Sequence, residues 1–197
     1  MGWGSRGGDL YAGEPVRYVA FLRGINVGGH KPVKMADLRA AFEAMGLQNV
    51  KTVLASGNVV FQTPPGAGLP DNTLDLAAHI EQRLQQVFGY PIAVALCSVA
   101  DLQRLVDSDP FNGVAITPDT RLYVTFLSDP ATSRPDFAYD APEGDLRIVR
   151  VAPGEVCSVL TLSPARGTTE LMALLEREFG GGVTTRNWNT VRKVLEI

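Results

Sequence analysis

The sequence predicts an α+β fold in two parts, the first built in the order β-α-β-β-α-β. Three observations predict it. An almost wholly apolar run, Val16 to Leu22, ends at a glycine-rich turn, as expected of a covered central strand. Two further strand-like runs, 51–55 and 58–62, meet at Ser56-Gly57, a hairpin signal. Between and after these strands lie segments whose apolar residues recur at helical spacing.

Taken in order, Gly24, Gly28 and Gly29 break the first strand. Met35, Leu38, Phe42 and Met45 then mark one face of a helix, and Gly46 stops it. After the hairpin, TPPGAGLPDN is a loop by composition. Asp71 or Asn72 caps a second helix with Ala77, Ile80, Leu84 and Val87 on one face, ending at Gly89. A fourth strand covers 92–96. This order is the ferredoxin-like arrangement, an alpha-beta plait of four strands with two helices on one face. The cysteines an iron–sulfur cluster needs are missing, so only the topology transfers.

The second part opens with Ser98 to Asp101, a capping signature before Leu102 and Leu105. Strands follow at 121–127, 146–151 and 156–162, the last two a hairpin around Pro153-Gly154. A helix with Leu171, Leu174, Leu175 and Phe179 inward stops at three glycines, and Trp188, Val191 and Leu195 mark a closing helix. We therefore expect a leader over 1–15, a ferredoxin-like domain over 16–97, and a smaller plait-like α+β domain over 98–197. No sequence repeat is evident between the two.

Composition narrows the function classes. Of 197 residues, 45% are hydrophobic and 20% charged, the balance of a globular protein. A net charge of -3 and a pI near 5.4 argue against a protein that coats nucleic acid. Cys97 and Cys157 sit in apolar runs that suit buried thiols, and with only His30 and His79 beside them no metal or cofactor is expected. No run approaches the roughly 20 apolar residues of a membrane span. A cytoplasmic protein fits these features.

Two polar clusters exceed what local structure needs. The turn after the first strand has the G-x-x-x-x-G spacing of a P-loop from Gly24 to Gly29, but His30 and Lys31 stand where that motif has lysine and a hydroxyl. A glycine-rich turn feeding a helix start still offers N–H groups to an anion, with Arg23, His30, Lys31 and Lys34 adding charge. Asn26, on the bland reading, bonds local backbone. The second cluster is RNWN near the end of the chain, where Arg186, Asn187 and Asn189 flank Trp188. Arginine with flanking amides suits a planar or phosphorylated group. Ser56 and Asn58 are read as turn residues lying near the start of the first strand, away from the glycine turn. No nucleophile–base pair stands out, so no catalytic residue is assigned.

The blocks LRGINVGG, LASGNVVF and RNWNTV, in this order, resemble the bacterial family named for a domain of unknown function, DUF1697. The matching positions are Arg23, Gly24, Asn26, Gly28, Gly29, Lys34, Ser56–Asn58 and Arg186–Thr190. The resemblance implies a two-part α+β protein built on ferredoxin-like plaits and brings no activity with it.

The reading we draw is a protein that binds a small anionic or nucleotide-type ligand between its halves, with catalysis left open. Its site is Arg23, Asn26, Gly28, Gly29, His30, Lys31 and Lys34, facing Arg186, Asn187 and Asn189. Two alternatives stand beside it. One is a nucleic-acid-binding module on an open plait sheet, which the acidic balance disfavours. The other is a scaffold whose uncovered sheet face self-associates into a homo-oligomer. Neither a membrane nor a cofactor enters any of the three.

Overall fold

The structure, a computed structural model, describes residues 15–26, 32–164 and 167–197. Among the described residues it is a mixed α+β chain with two antiparallel sheets and five α-helices. The first part runs β1 (Val16–Leu22), α1 (Met35–Ala44), β2 (Gln48–Val53), β3 (Asn58–Thr63), α2 (Thr73–Phe88) and β4 (Val94–Ser98), with sheet order β2-β3-β1-β4. The second runs α3 (Val99–Asp107), β5 (Thr120–Phe126), a short turn of 3-10 helix, β6 (Tyr139–Asp140), β7 (Leu146–Ala152), β8 (Glu155–Thr161), α4 (Thr168–Phe179), β9 (Thr184–Asn187) and α5 (Trp188–Leu195), with order β6-β7-β8-β5-β9.

Local signals act largely as expected. Asn72 caps α2 by accepting from the Asp75 N–H at 2.8 Å, and Gly89 ends the helix in the left-handed region. Its buried face is Leu76, Ala77, Ile80 and Leu84; Val87 is exposed, because the start of the stripe lies one residue before Ala77. The strand ends moved more. β2 starts at Gln48 and stops at Val53, so the turn is longer than Ser56-Gly57 alone, with Leu54 at φ 59° and Gly57 at φ 76°.

One expectation is overturned by topology. β1 and β2 both pair antiparallel with β3 between or beside them, so β1 and β2 run parallel. The β2–β3 turn must then lie where β1 ends. The Leu22 N–H indeed donates to Gly57 O at 2.8 Å, so Ser56 and Asn58 sit beside the glycine turn instead of at the far end of the sheet.

The second sheet repeats the first. Without the two-residue β6, its order β7-β8-β5-β9 matches β2-β3-β1-β4 strand for strand. Phe21 lies opposite Asn58 and Ala95; Phe126 lies opposite Glu155 and Thr184. The closing bond recurs, Leu127 N–H to Gly154 O at 2.9 Å. α3 and α5 each follow the last strand of their sheet, capped by Ser98 and Asn187. The register aligns Tyr-Val-Ala-Phe-Leu (18–22) with Tyr-Val-Thr-Phe-Leu (123–127), a repeat too short to stand out in the sequence. α3 follows β4 directly, as α5 follows β9. The tail divides too: Arg186 and Asn187 end β9, and only Trp188 onward is helix.

Three cores stack through the molecule. One face of the first sheet packs on α1 and α2 through Leu38, Phe42, Phe61, Ile80 and Leu84. Its other face, carrying Val19, Phe21 and Val60, is buried against α3, α5 and the second sheet through Leu102, Leu105, Val124, Phe126, Val191 and Val194. The remaining face of the second sheet packs on α4. The first sheet therefore has no open face. Phe21, at the centre of that second face, is fully buried.

Candidate functional site

At the end of β1 the two parts of the molecule are joined by one side chain. Arg186, on β9, reaches across to the first sheet. Its Nε donates to Asn58 Oδ1 at 2.6 Å, and its Nη2 donates to Leu22 O at 2.6 Å and to Ser56 O at 3.0 Å. Nη1 donates to Thr185 O at 3.0 Å. The guanidinium carbon lies 5.6 Å over the Phe21 ring, which stacks on Phe126 at 4.2 Å. Asn58 is held for this task, since its Nδ2 donates to Val53 O at 2.7 Å and so turns Oδ1 outward to accept. Burial pushes the Arg186 pKa down to about 10, which still leaves the group charged at neutral pH.

The residues expected around this turn have mostly found protein partners. Arg23 follows Leu22, so it lies beside Arg186 as expected, but its side chain pairs with Glu176 of α4. Asn26 takes φ 57° and uses its amide as a staple: Nδ2 donates to Val33 O at 3.0 Å and Ala55 O at 2.8 Å, while Oδ1 accepts from the Val33 N–H at 2.8 Å. Asn187 caps α5, accepting from the Asn189 N–H at 2.9 Å. Lys34 and Asn189 are exposed. Gly28, Gly29, His30 and Lys31 lie outside the described residues. The two clusters thus come together: Arg186 and Asn26 donate to backbone carbonyls and to Asn58, and the side-chain oxygen of Asn187 caps α5.

The repeat places a second, matching locus at the end of β5, and there the filling differs. Opposite Val19 the last strand carries Cys97; opposite the equivalent Val124 it carries Arg186. A thiol is too short to cross to the other unit. What lies in front of it is a cavity of about 510 Å³, with Leu74 and Cys97 from the first unit and Phe126, Gly154 and Glu155 from the second among its walls. Glu155 holds the position of Asn58. Desolvation raises its carboxyl pKa, and this outweighs the lowering by Arg150, which stands 3.4 Å from Oε1. Burial also pushes up the Cys97 thiol, so it is no nucleophile at neutral pH. Asp101 and Arg104 pair with each other at the cavity wall.

Cys97 was read from the sequence only as a buried thiol, and neither Glu155 nor Arg150 was taken as a site residue. The one available signal was Gly154-Glu155-Val156 following Tyr-Val-Thr-Phe-Leu as Gly57-Asn58-Val59 follows Tyr-Val-Ala-Phe-Leu. Among the described residues, no group of three or more His, Cys, Asp or Glu side chains is placed to hold a metal ion, and no helix is long and apolar enough to cross a membrane.

Comparison with known proteins gives a family and a fold. A family model described as "Protein of unknown function (DUF1697)" matches residues 16–156, which leaves the RNWN block beyond the match. No curated protein matches the chain. Among solved structures, the conserved bacterial protein SP0830 from Streptococcus pneumoniae is similar at 22% identity and a TM-score of 0.67, over 92% of this chain and 98% of that one. At that identity the likeness carries the fold alone.

Proposed function

The chain belongs to the DUF1697 family, and we propose that it is a tandem pair of ferredoxin-like plaits that binds a small molecule in the cavity between them. One observation carries the reading: a cavity of about 510 Å³ between β4 and β8, with apolar and charged residues in its walls, among them the half-buried Glu155 with Arg150 3.4 Å away. That size and mixture suit a small organic ligand. The binding place moves from the glycine turn to this cavity because Arg186, the strongest anion donor foreseen, already has its N–H groups engaged by carbonyls. Binding is proposed in preference to catalysis, since burial raises the pKa of the cavity's thiol above its ordinary value. Two unbridged cysteines favour a reducing, cytoplasmic setting.

A thermal-shift screen of small polar–apolar compounds tests the proposal. A ligand at about 100 times its Kd adds roughly 2.7 kcal/mol, a shift of a few degrees. Hits should vanish in Ala152→Phe, which places a ring among the cavity-lining residues. Hits that persist unchanged in that variant put the ligand elsewhere, and the cavity reading fails.

A further inference from the structure

We propose that the cavity takes a ligand with a cationic head, a guanidinium or primary ammonium on a small apolar body, whose charge meets Glu155 over the face of Phe126 as Arg186 meets Asn58 over Phe21. The inference rests on the reading of the cavity as a ligand site and names the class of ligand.

The argument is one of equivalent positions. In the first locus, the end of β1 and the β2–β3 turn form a cradle of oxygens: Leu22 O, Ser56 O and Asn58 Oδ1 all accept from one guanidinium. The second locus has the same strand order, the same register and the same closing bond from Leu127 to Gly154. It therefore presents the same kind of cradle, with Phe126 in the place of Phe21. Two substitutions separate the loci. The arginine that fills the first is replaced by Cys97, which leaves room, and the neutral acceptor Asn58 is replaced by the carboxylate of Glu155. An amide acceptor becoming an anion, at the point where the last strand no longer supplies an arginine, matches a further cation coming from solution.

The charges around Glu155 are consistent with this. Its near cation is Arg150, at 3.4 Å from one oxygen, and Arg150 is also engaged by Ser108 Oγ at 2.5 Å. The other arginine of the cavity, Arg104, is matched by Asp101. The half-buried carboxylate stays costly to ionise despite Arg150, a cost that a bound cation would offset. The apolar remainder of the ligand would lie against Leu74, Ala77 and Phe126.

The test uses four probes of one shape on the full chain: isopentylguanidinium, isopentylammonium, isopentylurea and 4-methylpentanoate. Binding is followed in amide nuclear magnetic resonance spectra, with shifts at Phe126, Leu127, Gly154 and Glu155 locating the site. The two cations should bind there and the urea about tenfold or more weakly, as expected for loss of one charge-assisted hydrogen bond. Glu155→Gln should bring the guanidinium down to the affinity of the urea. Equal or tighter binding of urea or carboxylate at these amides would overturn the cationic assignment and leave the cavity reading standing. Shifts at these amides from none of the four probes would overturn both. A second variant guards against a misfolded Glu155→Gln protein. Cys97→Arg supplies the cation from the chain itself, and should raise Tm while abolishing probe binding. A lowered Tm with probe binding intact would overturn the equivalence on which the assignment rests.

Discussion

Arg186 Nε and Asn58 Oδ1 are 2.6 Å apart, a hydrogen bond that joins residues 128 positions distant and ties the second sheet to the first. The same guanidinium caps the carbonyls at the end of β1 and in the β2–β3 turn. It is a structural cation satisfied by oxygens, with no carboxylate among its hydrogen-bond partners.

Removing Arg186 should therefore cost more than removing an exposed arginine. Arg186→Ala leaves Asn58 Oδ1 and the Leu22 carbonyl facing a void, and should destabilise the chain by about 3 kcal/mol in urea denaturation. Arg186→Lys should recover only part, because an ammonium cannot fork to Asn58 and Leu22 together. The folded pKa, about 10, lies below the ordinary 12.5, so the group adds stability with rising pH only above about pH 10. Between pH 6 and 9 the loss in Arg186→Ala should be constant; a loss below 1 kcal/mol would show that the clamp is incidental.

Two glycines of the same region should respond differently to alanine. Gly57 has φ 76°, and a Cβ there would come 2.6 Å from Ile25 Cδ1 and 3.0 Å from Leu22 Cβ. Gly24 has φ 66° with nothing within 4 Å. Gly24→Ala should cost about 1 kcal/mol for backbone strain alone, and Gly57→Ala about 2 kcal/mol or more, since overpacking adds to it. Equal costs from chemical denaturation would mean that Ile25 moves aside freely.

The two thiols should set the alkaline limb of stability. Burial pushes Cys157 up to about 12 from an ordinary 9.0 and raises Cys97 as well. Between those values the unfolded chain releases a proton that the folded chain keeps, so stability falls as pH rises. The slope is about 1.4 kcal/mol per pH unit for each thiol once the unfolded group is ionised. Denaturation at pH 8 and pH 10 should show a smaller drop in Cys157→Ala than in the unaltered chain. An identical drop would place the titrating groups elsewhere.

Much of the first sheet was legible because its signals are local. Apolar runs, glycine breaks and caps such as Asn72 and Ser98 act within a few residues of themselves, and each did what its neighbours dictated. Strand ends shifted by two or three residues, since pairing partners rather than propensity decide where a ladder stops. What Arg186 binds was not legible in this way.

The sequence by itself determined the α+β class, the order of elements in the first unit and the starts of the helices after Asn72 and Ser98. Tertiary structure alone decided the rest. Parallel alignment of β1 and β2 put Asn58 beside Leu22, a relation set by which strands pair and not by any residue near the turn. The partners of Arg186 are mostly backbone oxygens, which every residue possesses and no sequence pattern marks. The cavity beside Glu155 exists because Cys97 occupies a register position that Arg186 fills in the other unit, and register between distant strands becomes visible only when the chain is folded.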